Sequence, residues 1–190
     1  GGKQKAMGEA ITERDSLPVM TTLGVTTLIS DSGVTRYRVN TEEWMMYDRK
    51  KPSYWAFEKG VYMEQFDSIF NVEASIKADT AYYYDKERLW KLIGNVDIQN
   101  RKGERFNTEL LYWNEATQEV YSDKFIRIQQ PDRIITGHGF DSNQQMTIYT
   151  IRNIEGIFYV DEEASSGPPQ PETKALPDSV NKDCLLYTSP

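Results

Sequence analysis

Leu89-Trp90-Lys91-Leu92-Ile93-Gly94-Asn95-Val96-Asp97-Ile98 is the stretch on which the fold turns. Trp90, Leu92, Val96 and Ile98 share one side of an extended chain, and Lys91, Asn95 and Asp97 take the other. This is the period of a strand with one buried face. The stretch follows Ala78-Asp79-Thr80-Ala81-Tyr82-Tyr83-Tyr84, and the same rhythm returns at Thr108-Glu109-Leu110-Leu111-Tyr112-Trp113, leading into Val120 to Ile128. Asp79 matches Glu109, Tyr83 matches Trp113, Val96 matches Ile126 and Ile98 matches Ile128, at a constant offset of 30 (109 − 79). Similarity at a fixed period means one supersecondary unit used again. The unit reads as strand, turn, strand.

Outward from this centre the alternation continues. Val72, Ala74, Ile76 and Ala78 share a face, as do Phe106, Thr108, Leu110 and Tyr112. Turn signals at 85–87, 100–103, 114–117, 130–132 and 141–143 predict an antiparallel meander or jelly roll. Thr22 to Ile29 and Val34 to Val39 read as a hairpin about Ser30-Asp31-Ser32-Gly33. Ala56 to Phe66 reads as a hairpin about Lys59-Gly60. Glu42 to Tyr47 fits either strand or helical turn, and Met146–Ile151 with Ile157–Val160 forms a last strand pair. The expected organisation is a polar tether over 1–20, a β domain over 21–160 and a disordered Pro-rich tail over 161–190. Residues 184–190, Cys-Leu-Leu-Tyr-Thr-Ser-Pro, resemble the translation of a transposase end used in library preparation, and are read as an assembly artefact.

A chain of 190 residues suffices for one domain with its own core. The net charge of −7 argues against nucleic acid, whose phosphates demand Lys and Arg. The single cysteine, Cys184, excludes an internal disulfide or a cysteine metal cage. No apolar run reaches the length of a membrane-spanning helix. The opening Gly1-Gly2-Lys3-Gln4 has no initiator Met, so the chain is read as a fragment or trimmed product.

Chemistry is sparse. His138 is the only histidine, and one imidazole without partners makes neither a zinc site nor a triad. Gly137 and Gly139 around it predict a bulge or close strand approach, with His138 towards solvent. Asp79 and Glu109 could pair as the carboxylates of a glycosidase. Repeat-equivalent residues more often accept turn hydrogen bonds, and that reading is preferred. Alternation sends Tyr83 away from Tyr82 and Tyr84, so they form no single sugar platform. No metal, no cofactor and no catalytic residue is expected.

Taken in order, several of these segments resemble the LptC family of lipopolysaccharide-export proteins. The resemblance is carried by Ser32-Gly33 with Arg36-Tyr37-Arg38-Val39, Trp55 to Val61, Ala78 to Tyr83, Leu89 to Val96, Gly103-Glu104, Thr108 to Trp113, Val120 to Asp123 and Ile135 to Phe140. It implies an all-β, twisted antiparallel β-jelly roll open on one side. It also implies a protein of the periplasm, attached to the inner membrane, that accepts lipopolysaccharide from an inner-membrane ABC transporter (LptB/LptF/LptG-like) and passes it to a periplasmic bridge protein of the LptA/OstA type. Family members carry an N-terminal membrane helix that this sequence lacks, and Gly1-Gly2-Lys3 would suit a lipoprotein anchor.

On this resemblance an apolar groove is expected at Val72, Ala74, Ile76, Leu92, Val96, Ile98, Leu110, Ile126 and Ile128. Partner-binding sheet edges are expected at Val34, Tyr37 and Val39 and at Ile148, Tyr149 and Ile151. Two rivals are a secreted jelly-roll glycan-binding or glycan-active protein and a purely structural envelope lipoprotein.

Overall fold

The computed structural model describes residues 16–31 and 34–160, with two further short segments at 172–173 and 185–188. The N-terminal tether and the Pro-rich stretch fall outside the described residues, apart from a few positions. The strands are β1 (Met20–Asp31), β2 (Val34–Tyr47), β3 (Tyr54–Phe57), β4 (Val61–Phe66), β5 (Val72–Ala78), β6 (Thr80–Tyr84), β7 (Leu89–Asn100), β8 (Arg105–Asn114), β9 (Glu119–Gln129), β10 (Arg133–Asn143) and β11 (Ile148–Tyr159). Two short strands follow, β12 (Glu172–Thr173) and β13 (Leu185–Thr188). All pairings are antiparallel, in a single sheet, in keeping with a jelly-roll-like fold.

The long strands are shared between two leaves of that sheet. β7 pairs with β6 over Leu89–Ile93 and with β5 over Asp97–Asn100. Likewise β2 pairs with β4 over Tyr37–Thr41 and with β3 over Met45–Tyr47. Between the two halves lies a row of irregularities: Ile93/Val96 on β7, Thr108/Tyr112 on β8, His138/Phe140 and Thr136/Gly137 on β10. A bulge inserts a residue and bends its strand. Aligned from β7 to β11, these register shifts form a crease along which the sheet folds over. Gly94 adopts a φ of +81° there, and a Cβ on it would stand 3.0 Å from the Asp79 carboxylate, so the crease needs glycine at this point.

Folding brings the inner faces together. Phe106 of one leaf meets Phe140 and Tyr149 of the other at ring distances of 5.7 and 5.2 Å. Tyr37 meets Trp113 at 5.5 Å. Trp90, Leu92, Val96, Phe106, Leu111, Ile126 and Ile128 are wholly enclosed. Each such side chain contributes about 1.5–3 kcal/mol on leaving water.

The 30-residue repeat is visible in this packing. Tyr83 and Trp113, Val96 and Ile126, and Ile98 and Ile128 are all core residues. The turns that close the two units also match, since Arg88 and Gln118 both take positive φ, 54° and 58°.

Three local expectations require amendment, and one open alternative is decided. Ala56 to Phe66 is not a hairpin: β3 pairs with β2 and β6, and β4 with β2 and β5, because the two strands belong to different leaves. Met146 to Val160 supplies one strand, β11, instead of two. Glu42 to Tyr47 is strand. On β8 the alternation changes phase at the register shift between Thr108 and Tyr112, where β9 carries the extra residue, so that Leu111 and Trp113 point inwards and Leu110 and Tyr112 outwards.

Candidate functional site

The candidate site is the interior between the leaves, together with the lips where they meet and the strand edges at either end. Of the nine residues expected to line a groove, Ala74, Ile76, Leu92, Val96, Ile98, Ile126 and Ile128 lie inside, on strands from both leaves. Val72 sits at the outer end of β5 and is exposed. Leu110 is on the outer face opposite Ile93, and Leu111 holds the inward position. The Leu110-Leu111 doublet was the available signal, since two adjacent apolar residues in an alternating strand mark a change of phase.

Opposite the crease, the lips are joined by polar contacts that sequence reasoning missed. Glu104, nearly inaccessible, accepts a hydrogen bond from the Tyr149 hydroxyl at 2.7 Å through Oε2 and from Asn100 Nδ2 at 2.8 Å through Oε1. Asn100 Nδ2 also donates to the Met146 carbonyl at 2.9 Å, and Gln130 Nε2 donates to the Tyr149 hydroxyl at 2.6 Å. Further along, Glu115 Oε1 accepts from Tyr37 Oη at 3.0 Å and from Trp90 Nε1 at 2.8 Å. Burial, then the Glu115 charge, raises the Tyr37 phenol well above its usual range. The same causes push the Tyr83 phenol up to about 12. Both hydroxyls therefore stay protonated and neutral inside. A glutamate in a turn reads in sequence as a solvated charge, so neither Glu104, noted only within the family resemblance, nor Glu115 was expected to join the leaves.

The edges are not as expected at the N-terminal side. Val34, Tyr37 and Val39 belong to β2, which is flanked by β1 on one side and by β4 and β3 on the other. Tyr37 and Val39 are core residues. The free edge is that of β1, which pairs only with β2 among the described residues. At the other side, Ile148, Tyr149 and Ile151 do lie on the last long strand. Their backbone carries β13, with Ile148 opposite Thr188 and Ile151 opposite Leu185. The Tyr149 and Ile151 side chains point into the core, while Ile148 is exposed.

Asp79 and Glu109 converge on one residue. Asp79 Oδ2 accepts from Asn95 Nδ2 at 2.8 Å, and Glu109 Oε2 accepts from the Asn95 backbone N–H at 3.2 Å. They brace the β7 bulge, as turn acceptors would. His138 is about half exposed and contacts Glu155 across β10 and β11. No group of three metal-ligating side chains occurs among the described residues.

An antiparallel sheet folded over a continuous apolar interior, with polar lips and an edge strand unpaired among the described residues, defines a jelly-roll-like protein. The family model described as "LptC: Lipopolysaccharide-assembly, LptC-related" matches residues 16–157, and the chain belongs to the LptC family. Membership places it in lipopolysaccharide transport and among periplasmic envelope components. No helix among the described residues is long and apolar enough to cross a membrane. A comparison with curated proteins finds no match.

Proposed function

We propose that this protein accepts lipopolysaccharide from an inner-membrane ABC transporter and passes it, acyl chains shielded between the two leaves, to a periplasmic bridge protein of the same fold. The observation that carries this reading is the interior itself, a continuous apolar cluster that encloses Ala74, Ile76, Leu92, Val96, Ile98, Ile126 and Ile128 between the leaves. Exposing an acyl chain to water costs about 0.8 kcal/mol per CH₂. A chain of roughly a dozen carbons therefore crosses an aqueous gap slowly unless apolar surface accompanies it. The interior is filled in the closed state, so loading requires the lips at Glu104–Tyr149 and Glu115–Tyr37 to part. The work of parting them comes from the ATPase partner, and the protein itself does no chemistry.

The handover uses strand edges. β1 offers an unpaired edge at one side, and β11 accepts an added strand over Ile148–Ile151 at the other. Edge-to-edge pairing of this kind joins sheets through main-chain hydrogen bonds. Continuity of the sheets then makes the interiors continuous. Attachment to the inner membrane, through a helix or a lipid preceding Gly1, completes the proposal.

Photocrosslinking tests it. p-Benzoylphenylalanine in place of Phe106 or Phe140, aromatic positions between the leaves, is expected to trap lipopolysaccharide in cells. The same residue in place of Tyr112, on the outer face, is expected to trap none. Crosslinks from Tyr112 alone would overturn the interior route.

A further inference from the structure

The outer face carries a second feature that the interior route does not use. A trough of about 1010 Å³ runs along the crease, floored by Ile93, Leu110 and Phe125. Lys77, Lys91, Lys124 and Arg127 stand around it. None of the four makes an ion pair among the described residues, whereas Arg38, Lys59, Arg88, Arg105, Arg133 and Arg152 all do. Three carboxylates share the trough: two are held by Asn95 within it and the third by an arginine. Asp79 and Glu109 hold Asn95, and Asp97 pairs with Arg105 at 3.2 Å. Phe125 leaves 45% of its surface in water, against the edge of the His138 ring at 5.5 Å. In a chain of net charge −7, a trough whose four cations outnumber its three carboxylates around an apolar floor is a local departure from the whole.

We infer that this trough is a binding site for a phosphorylated lipid. The phosphate is held among the Lys91, Lys124 and Arg127 cations, and the first carbons of the acyl chains lie on Ile93, Leu110 and Phe125. Lysine serves phosphate as a mobile point charge, and its aliphatic stem adds to the apolar wall. Nucleic acid is disfavoured by the net charge and by the apolar floor. An acidic peptide is disfavoured because the trough crosses the strands on their side-chain face. It offers no free backbone edge to which a peptide could add hydrogen bonds. A lipid needs none. The crease thus has two faces with two tasks: bulges fold the sheet over its interior, and the same bulges splay the outer side chains into a cleft. The lipid could come from a bilayer or as a monomer, and the experiment separates the two.

The probe is a short-chain phosphatidylglycerol below its micelle concentration, added to the whole ¹⁵N-labelled chain. Saturable shifts are expected at Asn95, Leu110, Phe125 and His138. Binding is expected to weaken by about 25-fold or more in Lys91→Glu/Lys124→Glu, since each surface cation contributes roughly fivefold and two are lost. Lys124→Gln/Arg127→Gln, a milder pair, covers the case in which the reversal fails to fold. Raising the salt should weaken binding by screening. Equal shifts with short-chain phosphatidylcholine would overturn the site, as would shifts confined to interior residues such as Leu92 and Ile126. Inorganic phosphate saturating the same shifts equally well, or an Asp-rich apolar peptide competing equally, would also overturn it. Co-sedimentation with phosphatidylglycerol vesicles that is lost in the variants assigns the source to the membrane. Monomer binding without sedimentation assigns it to free lipid.

Discussion

Glu115 shows how one side chain ties the two leaves together. Its carboxylate receives the Tyr37 hydroxyl from one leaf and the Trp90 indole N–H from the other, with Arg88 3.8 Å away. Glu115→Ala strands two enclosed donors, each costing about 1–3 kcal/mol when left unpaired. A loss of about 2–4 kcal/mol is expected in urea denaturation, and a change below about 0.5 kcal/mol would remove Glu115 from the closure of the lip. At this scale the sequence is legible only in part. The inward positions of Trp90, Leu92, Val96 and Ile98 follow from alternation alone, because period two is a property of the extended backbone. The roles of Glu104 and Glu115 do not, because a carboxylate's partner is set by what the fold brings beside it.

Strands register correctly here because of their irregularities. On β10, a Cβ at Gly137 would lie 2.4 Å from the Asn153 carbonyl oxygen of β11, a backbone atom that cannot step aside. Gly103, in the β7–β8 turn, has open space around it and a φ of +77°. Gly137→Ala is therefore expected to cost more than Gly103→Ala, whose penalty is the left-handed conformation alone, about 1–2 kcal/mol. Thermal melts of the two variants check the order, and equal melting temperatures would contradict the close approach. The glycines around His138 carried this signal in the sequence. The change of phase on β8 carried a fainter one, the Leu110-Leu111 doublet, and period-two reading ran straight through it. That is why Leu110 was expected inside and stands in the outer trough.

For the molecule as a whole, the edge of β1, unpaired among the described residues, is the feature through which we propose that the chain joins a partner. Leu23 and Leu28 on this strand are 69% and 53% exposed. Lysine at both positions is a common way of blunting an edge against pairing. Leu23→Lys/Leu28→Lys is expected to weaken assembly with neighbouring β proteins about tenfold, with the melting temperature kept within about 2 °C. Pull-down from envelope extracts measures the first and calorimetry the second, and undiminished pull-down would exclude β1 as the joint. The hairpin of β1 and β2 was legible in its apolar runs and turn. That β2 would be interior and β1 the edge was not, since pairing beyond the hairpin depends on which leaf β3 and β4 join. By itself, the sequence determined the all-β class, the repeated strand-turn-strand unit, the LptC resemblance and most of the inward-facing residues. These are local consequences of backbone period, turn chemistry and residue order. Only the tertiary structure decided where the sheet creases, which strands are free and which carboxylates close the lips. Each of those depends on contacts between residues far apart in the chain.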